Sequence, residues 1–426
     1  MPAFLISTSF LLFLLIAVPV SFAFIAATMV YLVFVSDVPF QIVIEQMSSN
    51  VQTFTLLAVP LFIFASSLMN QSQITMRIFD FAKKLVGFLP GGLGQVNVVT
   101  SLIFSGITGS AVAEAAGLGR IQIKSMKDNG YEPEFAAAIT ASSAIMGPIV
   151  PPSIPLVLYA MLSGASIGAL FLAGFLPGIL MALSLMVTVY ILARKKNYPV
   201  ESVPHLRELA ASFLHAIGPL LTPVILVGGI VSGWFTPTES AAVACLYVLI
   251  LAGLVYRSLS WTVLYRCLWE TAISTGVIMI IYAGASVFAW FITIENIPQM
   301  IASFISIFAS MPWLAYLIMI LFVLLLGCFL DPAPVLLITT PIFMPLMQVL
   351  QIDVIHFGII MVLTTQIGLL TPPMGMNLFI VQEIAGLPLQ TIVRATLPYT
   401  AALFAVVLLL TYIPQIVLFL PNLIMP

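Results

Sequence analysis

A chain of 426 residues in which 62% are hydrophobic, only 7% are charged and the net charge is −2 lies outside the composition of soluble globular domains. With a mean hydropathy of +1.21 it reads as a polytopic membrane protein. No basic patch with interleaved aromatics is present, which excludes a nucleic-acid partner, and no G-x-x-x-x-G-K-[ST] loop places ATP hydrolysis in this chain.

The first 24 residues lack a basic n-region and a cleavage site ahead of a soluble domain. They are expected to form a first membrane segment, not a removed signal peptide. Apolar stretches then follow over residues 3–35, 52–69, 92–119, 134–193, 217–256, 268–294, 299–350, 354–382 and 391–424. At about 20 residues per crossing they suffice for roughly 11 to 13 spans or half-spans. Cys245, Cys267 and Cys328 form no C-x-x-C pair and read as small buried hydrophobes, and His205, His215 and His356 lack metal-ligand spacing. No Ser-His-Asp or metal arrangement can be assembled, so an intramembrane enzyme finds no support.

Basic residues punctuate these stretches: Arg77, Lys83 and Lys84; Arg120, Lys124 and Lys127; Arg194, Lys195, Lys196 and Arg207; Arg257 and Arg266; then Arg394 alone. By the positive-inside rule the first four clusters are cytoplasmic. Residues 85–119, between the first two clusters, hold one apolar passage with Ser105-Gly106-Ile107-Thr108-Gly109-Ser110 at its middle. A re-entrant hairpin turning at this tip leaves both clusters on one side. A spanning helix with a small-residue packing face is the alternative.

Further on, Gly147-Pro148-Ile149-Val150-Pro151-Pro152-Ser153 recurs as Gly368-Leu369-Leu370-Thr371-Pro372-Pro373-Met374-Gly375, with glycine and prolines offset by 221 residues. Consecutive prolines interrupt a helix, and unwound backbone at membrane depth is tolerated only where it faces protein or a polar cavity. Paired interruptions in matching halves point to the binding site of a secondary transporter. Residues 313–350, broken at Gly327-Cys328-Phe329-Leu330-Asp331-Pro332, offer a counterpart to the first hairpin. No Lys or Arg lies between Arg266 and Arg394, which fits a hairpin opening to the outer face. Leu176-Pro177 against Leu397-Pro398 repeats the offset, and Phe64-Ala65 against Phe288-Ala289 lies at 224.

The expected fold is an all-α polytopic membrane protein with inverted structural repeats, two re-entrant helical hairpins and two broken helices. Residues 1–193 form the first repeat, 194–216 a cytoplasmic linker, either an interfacial helix or a loop, and 217–426 the second repeat. Thr236-Pro237-Thr238-Glu239 reads as a capped helix start.

Carbonyls released at a Gly-x-x-x-Pro-Pro break, joined by a hydroxyl, suit a sodium ion without a fixed carboxylate, and half-helix N-termini suit a solute carboxylate. Ser105, Gly147, Val150 and Pro152 are therefore expected to form one sodium site and Gly327, Thr371 and Gly375 its symmetry mate. Thr108, Ser110, Ser153, Asp331 and Asn377 are left to hydrogen-bond the solute. Asp331 reads either as a helix cap or as a site acid, the two roles being compatible. Glu114 reads as a site acid or as a buried partner of Arg120.

At these residues the chain resembles the large membrane subunit of tripartite ATP-independent periplasmic (TRAP) transporters, the DctM-like family, nearly end to end. The resemblance rests on Pro90-Gly91-Gly92-Leu93-Gly94, the Ser105 to Ala113 tip, Ile149 to Ile154, Phe235-Thr236-Pro237-Thr238-Glu239 and Thr371-Pro372-Pro373-Met374-Gly375-Met376-Asn377. It implies sodium-driven uptake of an organic acid such as a C4-dicarboxylate or sialic acid across the bacterial inner membrane by an elevator-like motion. It implies two partners as well, a soluble periplasmic binding protein and a small four-helix membrane subunit that is expected to be a separate chain. The family's sodium sites pair each hairpin tip with its break, and its solute contacts carry over to Ser110, Ser153 and Asp331. Cys328 beside Gly327 is a departure from the family's pattern at the second tip, where variation within the family is expected. Rival readings are a standalone ion-coupled organic anion transporter of related fold and a channel.

Overall fold

Inside a bilayer a backbone can satisfy its polar groups only within its own helix or in a closed barrel, and every element among the described residues is helical. The computed structural model describes residues 2–16, 18–35, 38–72, 74–196, 198–297, 299–300 and 311–425. Residues 301–310 of the expected 299–350 stretch, and Asn197 of the expected linker, lie outside them.

The chain begins with α1 (Pro2–Leu15), α2 (Val20–Phe34), α3 (Gln41–Val51), a 3-10 turn (Phe54–Leu57) leading into α4 (Ala58–Gln71), and α5 (Ile74–Val86). Then come α6 (Gly92–Thr108), α7 (Ala111–Asp128), α8 (Pro133–Ala144), α9 (Ile154–Ser163) and α10 (Ile167–Lys196). The second half opens with α11 (Leu206–Val231), α12 (Pro237–Ile250) ending in a π turn, and α13 (Trp261–Ile294). It continues through α14 (Pro312–Gly327), α15 (Pro332–Val349), α16 (Val354–Gly368), α17 (Met376–Ala385), α18 (Leu389–Tyr412) and α19 (Pro414–Ile424). Among the described residues 7 helical runs are long and apolar enough to cross a membrane, and apolar helices of 10–17 residues accompany them.

Five elements recur in register. Helices start at 92, 111, 133, 154 and 167 in the first half and at 312, 332, 354, 376 and 389 in the second, offsets of 220 to 222. The shared offset follows from shared punctuation, because a hairpin tip and a proline break stand at matching places in each half. Packing crosses between the halves: α7 lies on α17, α9 on α15, and α8 on both α17 and α18. Outside this group α2, α3 and α4 pack on α13, and α12 packs on α4.

Thr236 accepts from the Glu239 backbone while Glu239 reaches back to the Thr236 N–H at 2.8 Å, the capping box expected at the start of α12. In the 194–216 stretch, residues 194–196 finish α10, residues 198–205 are irregular and 206–216 form the first turns of α11. This connection is tied to the basic end of α5 by Lys83–Glu201 (2.9 Å) and Lys84–Glu208 (2.7 Å), and Lys196 pairs with Glu132 ahead of α8. The hydrogen bond and charge of Glu208 raise the Lys84 ammonium above the usual lysine range.

Candidate functional site

Each hairpin tip is laid against the break of its own half by backbone too close for a side chain. Gly109 ends α6 with φ +61°, and a Cβ there would sit 2.7 Å from the Pro152 carbonyl oxygen. A Cβ on Gly368 would meet the Gly327 carbonyl carbon at 2.4 Å. Glycine is needed at both, first for a left-handed turn and then for backbone-on-backbone contact. The Met374 N–H also donates to the Cys328 carbonyl (3.2 Å), joining the second tip to the second break. Both prolyl pairs, Pro151–Pro152 and Pro372–Pro373, are cis.

These contacts leave oxygen atoms with unused lone pairs. Among the described residues no hydrogen bond is donated to the carbonyl oxygens of Gly147, Val150 or Pro152 at the first break, nor to those of Gly327 and Thr371 at the second. Ser105 Oγ donates to Ser101 O (2.6 Å) and Thr371 Oγ1 to Ile367 O (2.9 Å), each four residues back. A hydroxyl whose proton is committed in this way keeps its lone pairs for a cation. The donor set is hard oxygen throughout, which fits sodium, and no group of three or more His, Cys, Asp or Glu that would hold a transition metal occurs among the described residues. Gly375 is the exception. Its carbonyl accepts from Leu378 N (2.7 Å) and Phe379 N (3.4 Å), because it opens the ladder of α17. With φ +48° it is the left-handed residue that opens α17.

Between the tips lies a cleft with about 440 Å³ of empty volume, part of it open to solvent. Gly109 to Val112 line it from the first tip, Pro148, Ile154 and Pro155 from the first break, Asp331 to Ala333 from the second tip, Gln366 and Leu369 from α16 and the second break, and Ile278 from α13. The first turns of α7 and α15 thus both face it, offering the unpaired N–H groups and positive dipole ends of two helices. Ser110 caps α7, its Oγ accepting from Ala113 N at 3.4 Å. Asp331 stands at the cap position of α15, where no side-chain capping hydrogen bond is formed, and lines the cleft. A wider cleft of about 1070 Å³, lined by Thr108, Ser110, Ser67, Asn70, Arg120 and Glu270 among others, shares Ser110, Ile154 and Ile278 with the first.

Of the residues expected to meet solute, Ser110 and Asp331 line the inner cleft and Thr108 lines the wider one. Ser153 and Asn377 line neither. The Ser153 hydroxyl donates to the Pro148 carbonyl and accepts from Leu156 N (3.2 Å), which makes it the cap of α9. Asn377 is fully buried and donates to Ala141 O (3.4 Å), tying α17 to α8. Sequence reasoning passed over Gln366, whose buried Oε1 has no partner and whose residue lines the cleft. An amide in an apolar run two residues before Gly368 was the available signal. Ile278 carried none.

Residues 7–416 match the family model described as tripartite ATP-independent periplasmic transporter, DctM component. The chain is 42% identical to the sialic acid TRAP transporter large permease protein SiaM of Vibrio cholerae, over 95% of each chain. It is 38% identical to the sialic acid TRAP transporter permease protein SiaT of Haemophilus influenzae, over 98% of this chain and 68% of that one. To the C4-dicarboxylate TRAP transporter large permease protein DctM of Pseudomonas aeruginosa it is 40% identical, over 87% of this chain and 86% of that one. Among solved structures it resembles the Alcanivorax borkumensis YdaH transporter, with a TM-score of 0.66, 13% identity and 88% of each chain covered, a likeness of fold.

Proposed function

The chain belongs to the DctM component family of tripartite ATP-independent periplasmic transporters, and from that premise we propose that it carries an organic acid inward, coupled to sodium entry. It is a multi-pass membrane component of a transporter and not an enzyme. Its place in the proposal is the bacterial inner membrane, beside a small four-helix membrane subunit, with a periplasmic binding protein delivering the solute.

The observation that carries the reading is the set of carbonyl oxygens without donors at both proline breaks, each beside a hairpin tip. The inward sodium gradient would supply the driving force. Ser105, Gly147, Val150 and Pro152 would hold one ion, and Gly327 and Thr371 the other. A solute carboxylate would rest on the N–H groups of the first turns of α7 and α15, with the Ser110 hydroxyl beside it. Asp331 repels a carboxylate and so would accept hydrogen bonds from solute hydroxyl or ammonium groups. Names among the relatives, sialic acid and C4-dicarboxylate, are of carboxylic acids, which supports the substrate class.

In this reading the halves are inverted repeats and both hairpins are re-entrant, consistent with the offsets of 220 to 222 and the basic clusters on both sides of the first hairpin. Contacts of α7 with α17 and α9 with α15 would make hairpins and broken helices one moving body, carried as an elevator against α1–α5 and α11–α13.

Proteoliposomes holding this chain with its small subunit and a solute-loaded binding protein test the proposal. Uptake is expected to require an inward sodium gradient. Equal uptake in potassium would sink sodium coupling, and full uptake without either partner would mark a standalone carrier.

A further inference from the structure

Glu114 is 1% exposed, and neither of its carboxylate oxygens has a hydrogen-bond partner. It stands in the first turn of α7, directly behind the tip at Gly109 and Ser110. The expected partner does not reach it: Arg120 is exposed, and no ion pair to Glu114 forms among the described residues. The Ser101 hydroxyl is a nearby donor, and it points to Ser143 Oγ at 3.0 Å. What the carboxylate does face is the first break. A Cβ on Gly147 would sit 3.1 Å from Glu114 Oε2 and 3.2 Å from both Ala144 O and the Ser110 carbonyl carbon.

An unpaired buried carboxylate is strongly unfavourable, and the half charge of one helix N-terminus compensates it only in part. A cation beside Gly147 would compensate the rest. The halves differ here, since the residue 221 positions on from Glu114 is Val335. The acid of the second tip, Asp331, stands instead at the position matching Ser110 and lines the cleft, so only the first half places a carboxylate behind its tip against the break glycine.

We propose that Glu114 supplies the negative charge of the first cation site, so that the two sites of the duplicated core are inequivalent. The inference rests on the cation-coupled reading of that break. It replaces the expectation of a sodium shell without a fixed carboxylate at this one position.

The test is binding, read as sodium-dependent thermal stabilisation of the purified chain against choline chloride. Wild type is expected to melt higher in sodium. Glu114→Gln should need roughly tenfold more sodium, or more, for half of its stabilisation. In choline the same variant should melt no lower than wild type, because a neutral isostere removes an uncompensated charge. A merely structural glutamate would give the reverse in choline. An unchanged sodium midpoint in Glu114→Gln, or no sodium stabilisation of wild type, would overturn the proposal. Should Glu114→Gln fail to fold, Glu114→Asp keeps the charge on a shorter arm and should raise the midpoint, and an unchanged midpoint there also overturns it. Uptake that proves independent of sodium would strike the transport reading, while a sodium shift lost in Glu114→Gln would still support the site.

Discussion

In the proposed sites Ser105 and Thr371 would each supply a hydroxyl that matters to an ion and hardly at all to folding. Each donates to the carbonyl four residues back in its own helix, a bond that adds little to helix stability. Removing it should leave the melting temperature of the sodium-free protein nearly unchanged. It would also remove one oxygen from the proposed carbonyl shell, so Ser105→Ala and Thr371→Ala are each expected to raise the sodium concentration for half-maximal uptake by about three- to tenfold, about 1 kcal/mol. Sodium titrations of initial uptake rate, with melting curves of the same preparations, check both halves of the statement. A large stability loss with unchanged sodium dependence would make these hydroxyls structural. Both residues stand out in the chain because polar groups are scarce at a tip or a break. Ser153 and Asn377 stand out for the same reason yet line neither cleft, since proximity to a break does not say on which side of a helix a side chain falls.

At the level of elements, the breaks and tips were readable because their causes are local: prolines cannot continue a helix, and glycine permits the αL turn at Gly109. How a tip meets its break is a tertiary matter, and the glycines record it. Gly109→Ala combines a left-handed φ with a 2.7 Å approach to the Pro152 oxygen, and Gly368→Ala puts a methyl 2.4 Å from the Gly327 backbone. Each is expected to cost about 2 kcal/mol or more and to pry a hairpin from its break. Gly117→Ala is the control, since a Cβ there meets nothing nearer than 3.6 Å. Thermal melts should rank both tip variants well below Gly117→Ala, and three equal melting points would refute the packing account. One departure between the halves escaped the sequence. Where the first half breaks at the 3-10 turn Phe54–Leu57, α13 runs unbroken for 34 residues. The drift of the offset to 224 at Phe64 and Phe288 falls in this region and was its only trace.

For the whole molecule, the distribution of charge and the placement of the clefts bear on one question, the side to which the site opens. The inner cleft continues through Ser110 and Ile154 into the wider one, which reaches Arg120 on α7. Arg120 heads a basic cluster with Lys124 and Lys127, and such clusters mark the cytoplasmic side. By the charge rule the wider cleft is expected to open towards the cytoplasm. Gly117 lines the same cleft, is exposed, and has room for a side chain. Cys245, Cys267 and Cys328 are free but buried, so an added thiol at Gly117→Cys is the reactive one among the described residues. A membrane-impermeant maleimide is expected to label Gly117→Cys in inside-out vesicles and to spare it in right-side-out ones. If hairpins and broken helices move as one body, sodium and solute that drive the site outward should lower the labelling rate from the cytoplasmic face several-fold. Labelling from the periplasmic side alone would invert the orientation, and a rate indifferent to sodium and solute would argue that the cleft belongs to a fixed part of the protein.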